Sequence, residues 1–213
     1  MPPESIPPEI IKVCGITSVA DAIFAAQNGA TALGFIFYQG SPRYIRVDQA
    51  AMISAIVSKE VLRVGLFVNE TREQVENTAR AARLDVVQLH GDETAEYCNS
   101  LEGLRVWKAF HVREYFKPAM LEEYSCEAYL LDAVSANGTF GGTGRTFPWP
   151  VARDAKRFGQ IIVAGGLDGD NVAEAIRQVK PWGVDASSKL ESKPGVKDNE
   201  KVRSYLEAAK SVK

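Results

Sequence analysis

Eight short aliphatic runs alternating with longer helix-period segments predict a single (β/α)8 barrel for this 213-residue chain. Most of the runs are continuously apolar, as parallel strands buried on both faces require. The repeat of roughly 25 residues per strand-and-helix unit is a barrel period rather than a solenoid period. No linker or shift in composition divides the chain. Periodicity alone also admits an open doubly wound sheet.

The expected strands cover residues 10–14, 32–37, 62–67, 86–89, 105–109, 129–132, 161–164 and 183–185, each followed by a helical segment. Residues 19–28 place Ala22, Ala25 and Ala26 on one stripe and stop at Gly29, where a glycine suits the left-handed C-cap. Residues 49–57, 72–82, 94–101, 172–179 and 198–209 read as helices in the same way. Thr71 followed by Gln74 suits a capping box at the third of them. Residues 1–9 form a proline-rich tail with neither the basic nor the apolar part of a signal peptide, so the catalytic barrel is assigned to residues 10–213.

Composition narrows the functional classes. Hydrophobic residues make up 46% and charged residues 24%, the balance of an ordinary soluble globular domain. A formal net charge of -2 argues against nucleic acid or an anionic membrane as partner, yet leaves room for a small anionic substrate. The longest apolar runs are too short to span a bilayer. Cys14, Cys98 and Cys126 are an odd number without CxxC spacing, which argues against a disulfide framework or a cysteine zinc site and favours the cytoplasm. Association with itself or with other enzymes is left open by the sequence.

In a barrel of this kind the active site lies at the C-terminal ends of the strands. Polar and reactive residues cluster there: Cys14-Gly15-Ile16-Thr17, residues 38–44, Asn69, His90-Gly91-Asp92, Asp132, Gly165-Gly166 and residues 185–188. Cys98, Cys126 and His111 fall outside the expected strand ends and read as structural. The glycine-rich run at 141–144 is not a Walker loop, because Arg145 stands where a lysine is required and the glycine spacing differs.

Several of these segments form an ordered set. Lys12-Val13-Cys14-Gly15-Ile16-Thr17 is followed by Gly34-Phe35-Ile36-Phe37-Tyr38 and Ser41-Pro42-Arg43-Tyr44. Val64-Gly65-Leu66-Phe67-Val68-Asn69, Val87-Gln88-Leu89-His90-Gly91-Asp92 and Leu131-Asp132 come next. Gly141-Gly142-Thr143-Gly144-Arg145, Ala164-Gly165-Gly166-Leu167 and Gly183-Val184-Asp185-Ala186-Ser187-Ser188 complete the series. From about Ile11 to the C-terminus the chain resembles the phosphoribosylanthranilate isomerases, with these motifs in family order.

The resemblance implies an aldose–ketose (Amadori) isomerase of tryptophan biosynthesis that needs no metal and no organic cofactor. Its partner would be a phosphoribosyl small molecule. Cys14 matches the family's general base, a role that needs a lowered pKa or a polar neighbour. Asp132 matches the general acid, which burial among Tyr129, Leu130 and Leu131 would keep protonated. Arg43 matches the residue that grips the anthranilate carboxylate, a task suited to a planar guanidinium. His90 and Asp185 match further substrate-binding or orienting positions. Gly142, Gly144, Gly165, Gly166, Ser187 and Ser188 form the expected phosphate site, with backbone N–H groups and a helix start as donors.

The bland alternatives are plain. By type alone Cys14 is a small buried residue, Asp132 a helix cap, Arg43 a solvated loop cation and each glycine a turn. The chain also departs from the family at Gln39, Lys189 and Pro148, which touches loop conformation but spares the acid and the base. A related histidine-pathway aminoaldose isomerase would show two aspartates and two phosphate cradles. A non-catalytic phosphosugar-binding barrel would not need an intact acid–base pair.

Overall fold

The computed structural model describes residues 8–113, 115–133 and 148–212. Eight parallel strands close into a barrel in chain order: β1 (Ile10–Cys14), β2 (Ala32–Ile36), β3 (Leu62–Phe67), β4 (Val86–Leu89), β5 (Val106–Val112), β6 (Ala128–Ala133), β7 (Gln160–Val163) and β8 (Gly183–Ala186). The ring is sealed where β8 pairs with β1 and sets Asp185 opposite Lys12. The open-sheet alternative is thereby excluded.

Helices α1 (Val19–Gln27), α2 (Val47–Ile56), α3 (Arg72–Ala81) and α4 (Ala95–Ser100) follow the first four strands. Helices α5 (Trp149–Ala155), α6 (Val172–Val179) and α7 (Asn199–Lys210) belong to the last three units. Local chemistry sets their ends as expected. Gly29 takes φ 101° just beyond α1, and the Thr71 side chain accepts from Gln74 N while Gln74 Oε1 accepts from Thr71 N.

Strand alternation sorts the interior into two packed sets. Ile11, Val13, Leu33, Phe35, Val87, Leu89, Leu131, Val163 and Val184 face outward and pack with the helices in one large cluster. The opposite parity faces the barrel axis, where Ile10, Ala32, Val64, Val86, Trp107, Leu130 and Ile162 form a second cluster. Above this floor Cys14 packs with Ile36, Leu66 and Val68. The barrel is therefore plugged below and chemically equipped above.

Three departures from the sequence reading have local causes. A six-residue 3-10 turn, Pro118–Glu123, stands where an α-helix was expected after β5, with Pro118 in its first turn. Helix α5 is not among the helices given bounds from the sequence; Pro148 and Pro150 flank its first residue, and proline is at home in a first helical turn. The helix after β8 is preceded by a 3-10 turn, Ser188–Leu190, and a small antiparallel pair, β9 (Glu191–Lys193) with β10 (Val196–Lys197). Among the described residues, no helix is long and apolar enough to cross a membrane.

Candidate active site

The inward parity of the strands delivers its last residues to the C-terminal mouth. Cys14 ends β1, His90 directly follows β4, His111 and Asp132 are register partners on β5 and β6, and Asp185 lies on β8. One cavity at this mouth is lined by Cys14, Arg43, His90, Asp132, Gly165, Gly166, Asp185, Ser187 and Ser188. These are nine of the eleven expected site residues. Gly142 and Gly144 lie outside the described residues.

Cys14 is buried, and directly below it the fully buried Lys12 donates to Asp185 Oδ2 at 2.9 Å. A lysine inside a barrel must be paired, and the pairing residue lies 173 positions away on the strand that closes the ring. Burial pushes the Cys14 thiol up, and the Lys12 ammonium beneath it pulls the other way without overturning that direction. Burial also works against the Lys12 ammonium, but Asp185 and Cys14 together raise its pKa, so Lys12 stays a cation. Asp185 Oδ1 is buried and has no hydrogen-bond partner among the described residues. It lies on the cavity wall, where a substrate hydroxyl can satisfy it.

Across the mouth, Asp132 is buried with Oδ2 3.2 Å from His90 Nε2, and Gln88 Nε2 lies 2.9 Å from His90 Nδ1. Gln88 is fully buried, and its Oε1 has no partner among the described residues. The loop carrying His90 is fixed by a buried ion pair. Lys108 Nζ donates to Glu93 Oε2 at 2.9 Å and to Gly91 O at 2.7 Å, while Glu93 Oε1 accepts from Asn69 N at 2.8 Å. His111 stacks edge-on against His90 with ring centroids 5.4 Å apart. Burial, with His90 close by, holds the His111 imidazole below its usual value.

Arg43 enters from the loop after β2. Its Nε and one terminal nitrogen bind Glu191 Oε1 and Oε2 at 2.8 and 2.9 Å, and Lys197 Nζ reaches Glu191 Oε1 at 3.0 Å. The fork therefore already holds one carboxylate, which uses two of its five N–H donors and fixes the plane in which the others lie. Burial opposes the Glu191 carboxylate, yet Arg43 and Lys197 together hold its pKa below the ordinary range. Gly15 makes room for this arginine. It has φ 77°, and a methyl group there would come within 2.8 Å of Arg43 Cδ.

At the end of the cavity nearest β7 and β8, Gly165 and Gly166 take φ 84° and 66° in succession. Two successive positive φ values are readily adopted only by glycine, so this turn on the cavity wall depends on both residues lacking a side chain. Asn171 Nδ2 donates to Gly166 O at 2.8 Å and braces the turn. Ser187 Oγ is buried without a partner among the described residues, and Lys189 lines the same end with its Nζ 3.8 Å from Asp168 Oδ2.

Two residues of the mouth went unassigned in the sequence. Lys12 sits in the first motif, two residues before Cys14 and therefore on the same face, a parity signal that was present but unused. His111 was set aside because β5 was ended at Ala109. The strand continues to Val112, so His111 does fall at a strand end, beside His90, although it is not among the residues that line the cavity.

Comparison with known proteins follows from this geometry. Residues 11–208 match the family model described as N-(5'phosphoribosyl)anthranilate (PRA) isomerase. The N-(5'-phosphoribosyl)anthranilate isomerase of Geotalea uraniireducens (strain Rf4) is 51% identical over 202 residues, covering 95% of this chain and 98% of that one. The phosphoribosyl anthranilate isomerase of Thermotoga maritima superposes with a TM-score of 0.87 at 37% identity, covering 94% and 98% of the two chains. A phosphoribosyl anthranilate isomerase solved with reduced 1-(o-carboxyphenylamino)-1-deoxyribulose 5-phosphate matches at TM-score 0.82 and 35% identity, over 94% of this chain and 98% of its own.

Proposed function

This chain belongs to the N-(5'-phosphoribosyl)anthranilate isomerase family, and from that premise we propose that Cys14 and Asp132 carry out its reaction as base and acid. The reaction converts N-(5-phosphoribosyl)anthranilate to 1-(2-carboxyphenylamino)-1-deoxyribulose 5-phosphate, an aldose–ketose isomerisation of tryptophan biosynthesis. The observation that carries the assignment is positional. Cys14 and Asp132 end inward-facing runs on β1 and β6, three strands apart round the ring, and both line one cavity.

Two proton transfers are required. Asp132 gives a proton to the furanose ring oxygen as the C1′–O bond breaks and the anilino nitrogen forms the imine. Cys14, as thiolate, then removes the proton at C2′, and the enolamine tautomerises to the ketone. Lys12 supports the thiolate electrostatically, and His90 orients the Asp132 carboxyl. Arg43, with its plane set by Glu191, presents its remaining N–H donors to the anthranilate carboxylate. The phosphate sits in the cradle of Gly165, Gly166, Ser187 and Ser188, with Gly142 and Gly144 as the further donors that the resemblance implies. The unpartnered Asp185 Oδ1 takes a ribose hydroxyl.

A cytoplasmic location is part of the same reading, resting on the free cysteines and on the biosynthetic reaction. The deciding experiment is turnover of purified Cys14→Ala and Asp132→Asn, with folding checked by circular dichroism. Each variant should lose about 10²–10⁴-fold in kcat while staying folded. Activity within a few-fold of the parent in either one refutes its role. Rescue of a tryptophan auxotroph that lacks this isomerase tests the reaction independently.

A further inference from the structure

We propose that His90, His111 and Asp132 form a transition-metal site of the zinc class at the barrel mouth, and that its occupation shuts the enzyme off reversibly. The three side chains come from adjacent strand ends, β4, β5 and β6, and their ligand atoms all lie within 4.8 Å of one another. His90 Nε2 and Asp132 Oδ2 are 3.2 Å apart. Two ligands bonded at about 2.0–2.1 Å to one tetrahedral zinc are separated by roughly 3.3 Å, so this pair already spans an edge of the coordination polyhedron. His111 pairs in register with Asp132 and stands edge-on to His90, with a ring nitrogen within 4.8 Å of the other two ligand atoms, which leaves it the third vertex.

An outer shell is also in place. A ligating histidine must present a lone pair to the metal and donate its other N–H. Gln88 lies 2.9 Å from His90 Nδ1, and its buried Oε1 has no partner among the described residues. Rotating that amide by half a turn lets Oε1 accept from Nδ1–H, which leaves the Nε2 lone pair facing Asp132 and the metal. Two imidazoles and one carboxylate favour Zn²⁺, Ni²⁺ or Co²⁺ over Mg²⁺ or Ca²⁺. His90 and Asp132 both line the cavity, so a fourth ligand such as water would come from it, as in a three-ligand site.

The metal is an inhibitor here, not a cofactor. Coordination takes the Asp132 carboxylate as an ionised ligand, so it holds no proton for the ring oxygen. That consequence rests on Asp132 being the acid, whereas the binding itself does not.

The test uses the full-length protein, stripped with EDTA. It is titrated with ZnCl₂ during initial-rate assays and, separately, with CoCl₂ under absorption spectroscopy. One equivalent should bind, turnover should fall in step and return with EDTA, and cobalt should show tetrahedral visible bands without a thiolate charge-transfer band. His111→Asn and His111→Gln should keep metal-free turnover while losing at least about tenfold in zinc affinity. Unchanged zinc affinity in both variants, or a thiolate band from Cys14, overturns the site. Binding through these residues with turnover untouched overturns the inhibition and counts against Asp132 as the acid. Loss of turnover in metal-free Asp132→Asn settles that role separately.

Discussion

Gly34 on β2 lies against Cys14 on β1, so close that a methyl group at Gly34 would come within 2.6 Å of the Cys14 sulfur. The space that holds the thiol exists only because the neighbouring strand carries hydrogen in place of a side chain. Gly34→Ala must therefore push Cys14 aside rather than unfold the barrel. Misplacing a reacting group by about 1 Å costs on the order of 10² in rate. The expected outcome is a folded protein with kcat reduced by about that factor and KM little changed. Steady-state kinetics beside a thermal melt check it, and near-parental kcat would show that the sulfur's position is not critical.

With Cys14 as the proposed base, Lys12 beneath it should shape the pH dependence of turnover. Burial raises the Cys14 thiol, and Lys12 opposes the rise. As the proposed base Cys14 must work as thiolate, so kcat/KM should climb as pH rises toward the raised thiol pKa. Lys12→Met removes the opposing cation, which moves that limb to still higher pH and slows iodoacetamide alkylation of Cys14 at pH 7. The same change strands the Asp185 carboxylate in the barrel, a cost of about 3–5 kcal/mol for breaking a buried pair. A Lys12→Met profile overlaying the parent's would remove Lys12 from the mechanism.

Glu191 ties the hairpin after β8 to Arg43 and, within the hairpin, to Lys197, and its depressed pKa makes that tie a pH-dependent part of stability. The sign follows from linkage. A carboxyl held below its unfolded value contributes in full above that value, roughly pH 4.3, and loses the contribution as pH falls through the folded pKa. The stability advantage of the parent over Glu191→Gln should thus be flat near neutrality and shrink below about pH 4. Urea midpoints across that range measure it. The variant should also show a raised KM, because Arg43 loses the partner that sets its plane.

How far such relationships were legible in the chain differs by kind. The strands were readable because both faces are buried, so their apolar runs are unbroken. Strand β4 (Val86–Leu89) has the bounds expected of it. Strand β5 was cut short for the converse reason. Phe110, His111 and Val112 are only half-buried, and a criterion of continuous apolarity stops at Ala109. Contacts between distant elements were not legible at all. Lys12 with Asp185 and Arg43 with Glu191 join residues 173 and 148 positions apart, and only barrel closure and the β9–β10 hairpin bring them together. Cys14 and Asp132 could be named because each sits in a family motif, and Lys12 shares the Cys14 motif and face, whereas Lys197, the second cation on Glu191, carries no local signal.

The phosphate end of the cavity yields a prediction in which backbone and side chain can be separated. Gly165 and Gly166, in the proposed phosphate turn, both have positive φ, at 84° and 66°. Alanine at either position is strained, and at Gly165 its methyl would also come within 2.7 Å of Asp132 Oδ1. Gly166→Ala should therefore raise KM by reshaping the proposed phosphate turn, while Gly165→Ala should lower kcat as well by moving Asp132, the proposed acid. Lys189 adds a half-exposed cation that Asp168 holds only loosely at 3.8 Å. Its charge acts through solvent, so Lys189→Ala should raise KM by a small factor, consistent with about 0–1 kcal/mol for an exposed pair, and leave kcat alone. Added salt should erase that difference, because exposed charges are screened within about 10 Å at 0.1 M, whereas the Gly166→Ala defect should persist. Inorganic phosphate as a competitive inhibitor provides the matching readout. Its inhibition constant should rise in Gly166→Ala at every ionic strength and in Lys189→Ala only at low salt. A phosphate inhibition constant indifferent to both substitutions would place the anion elsewhere on the barrel.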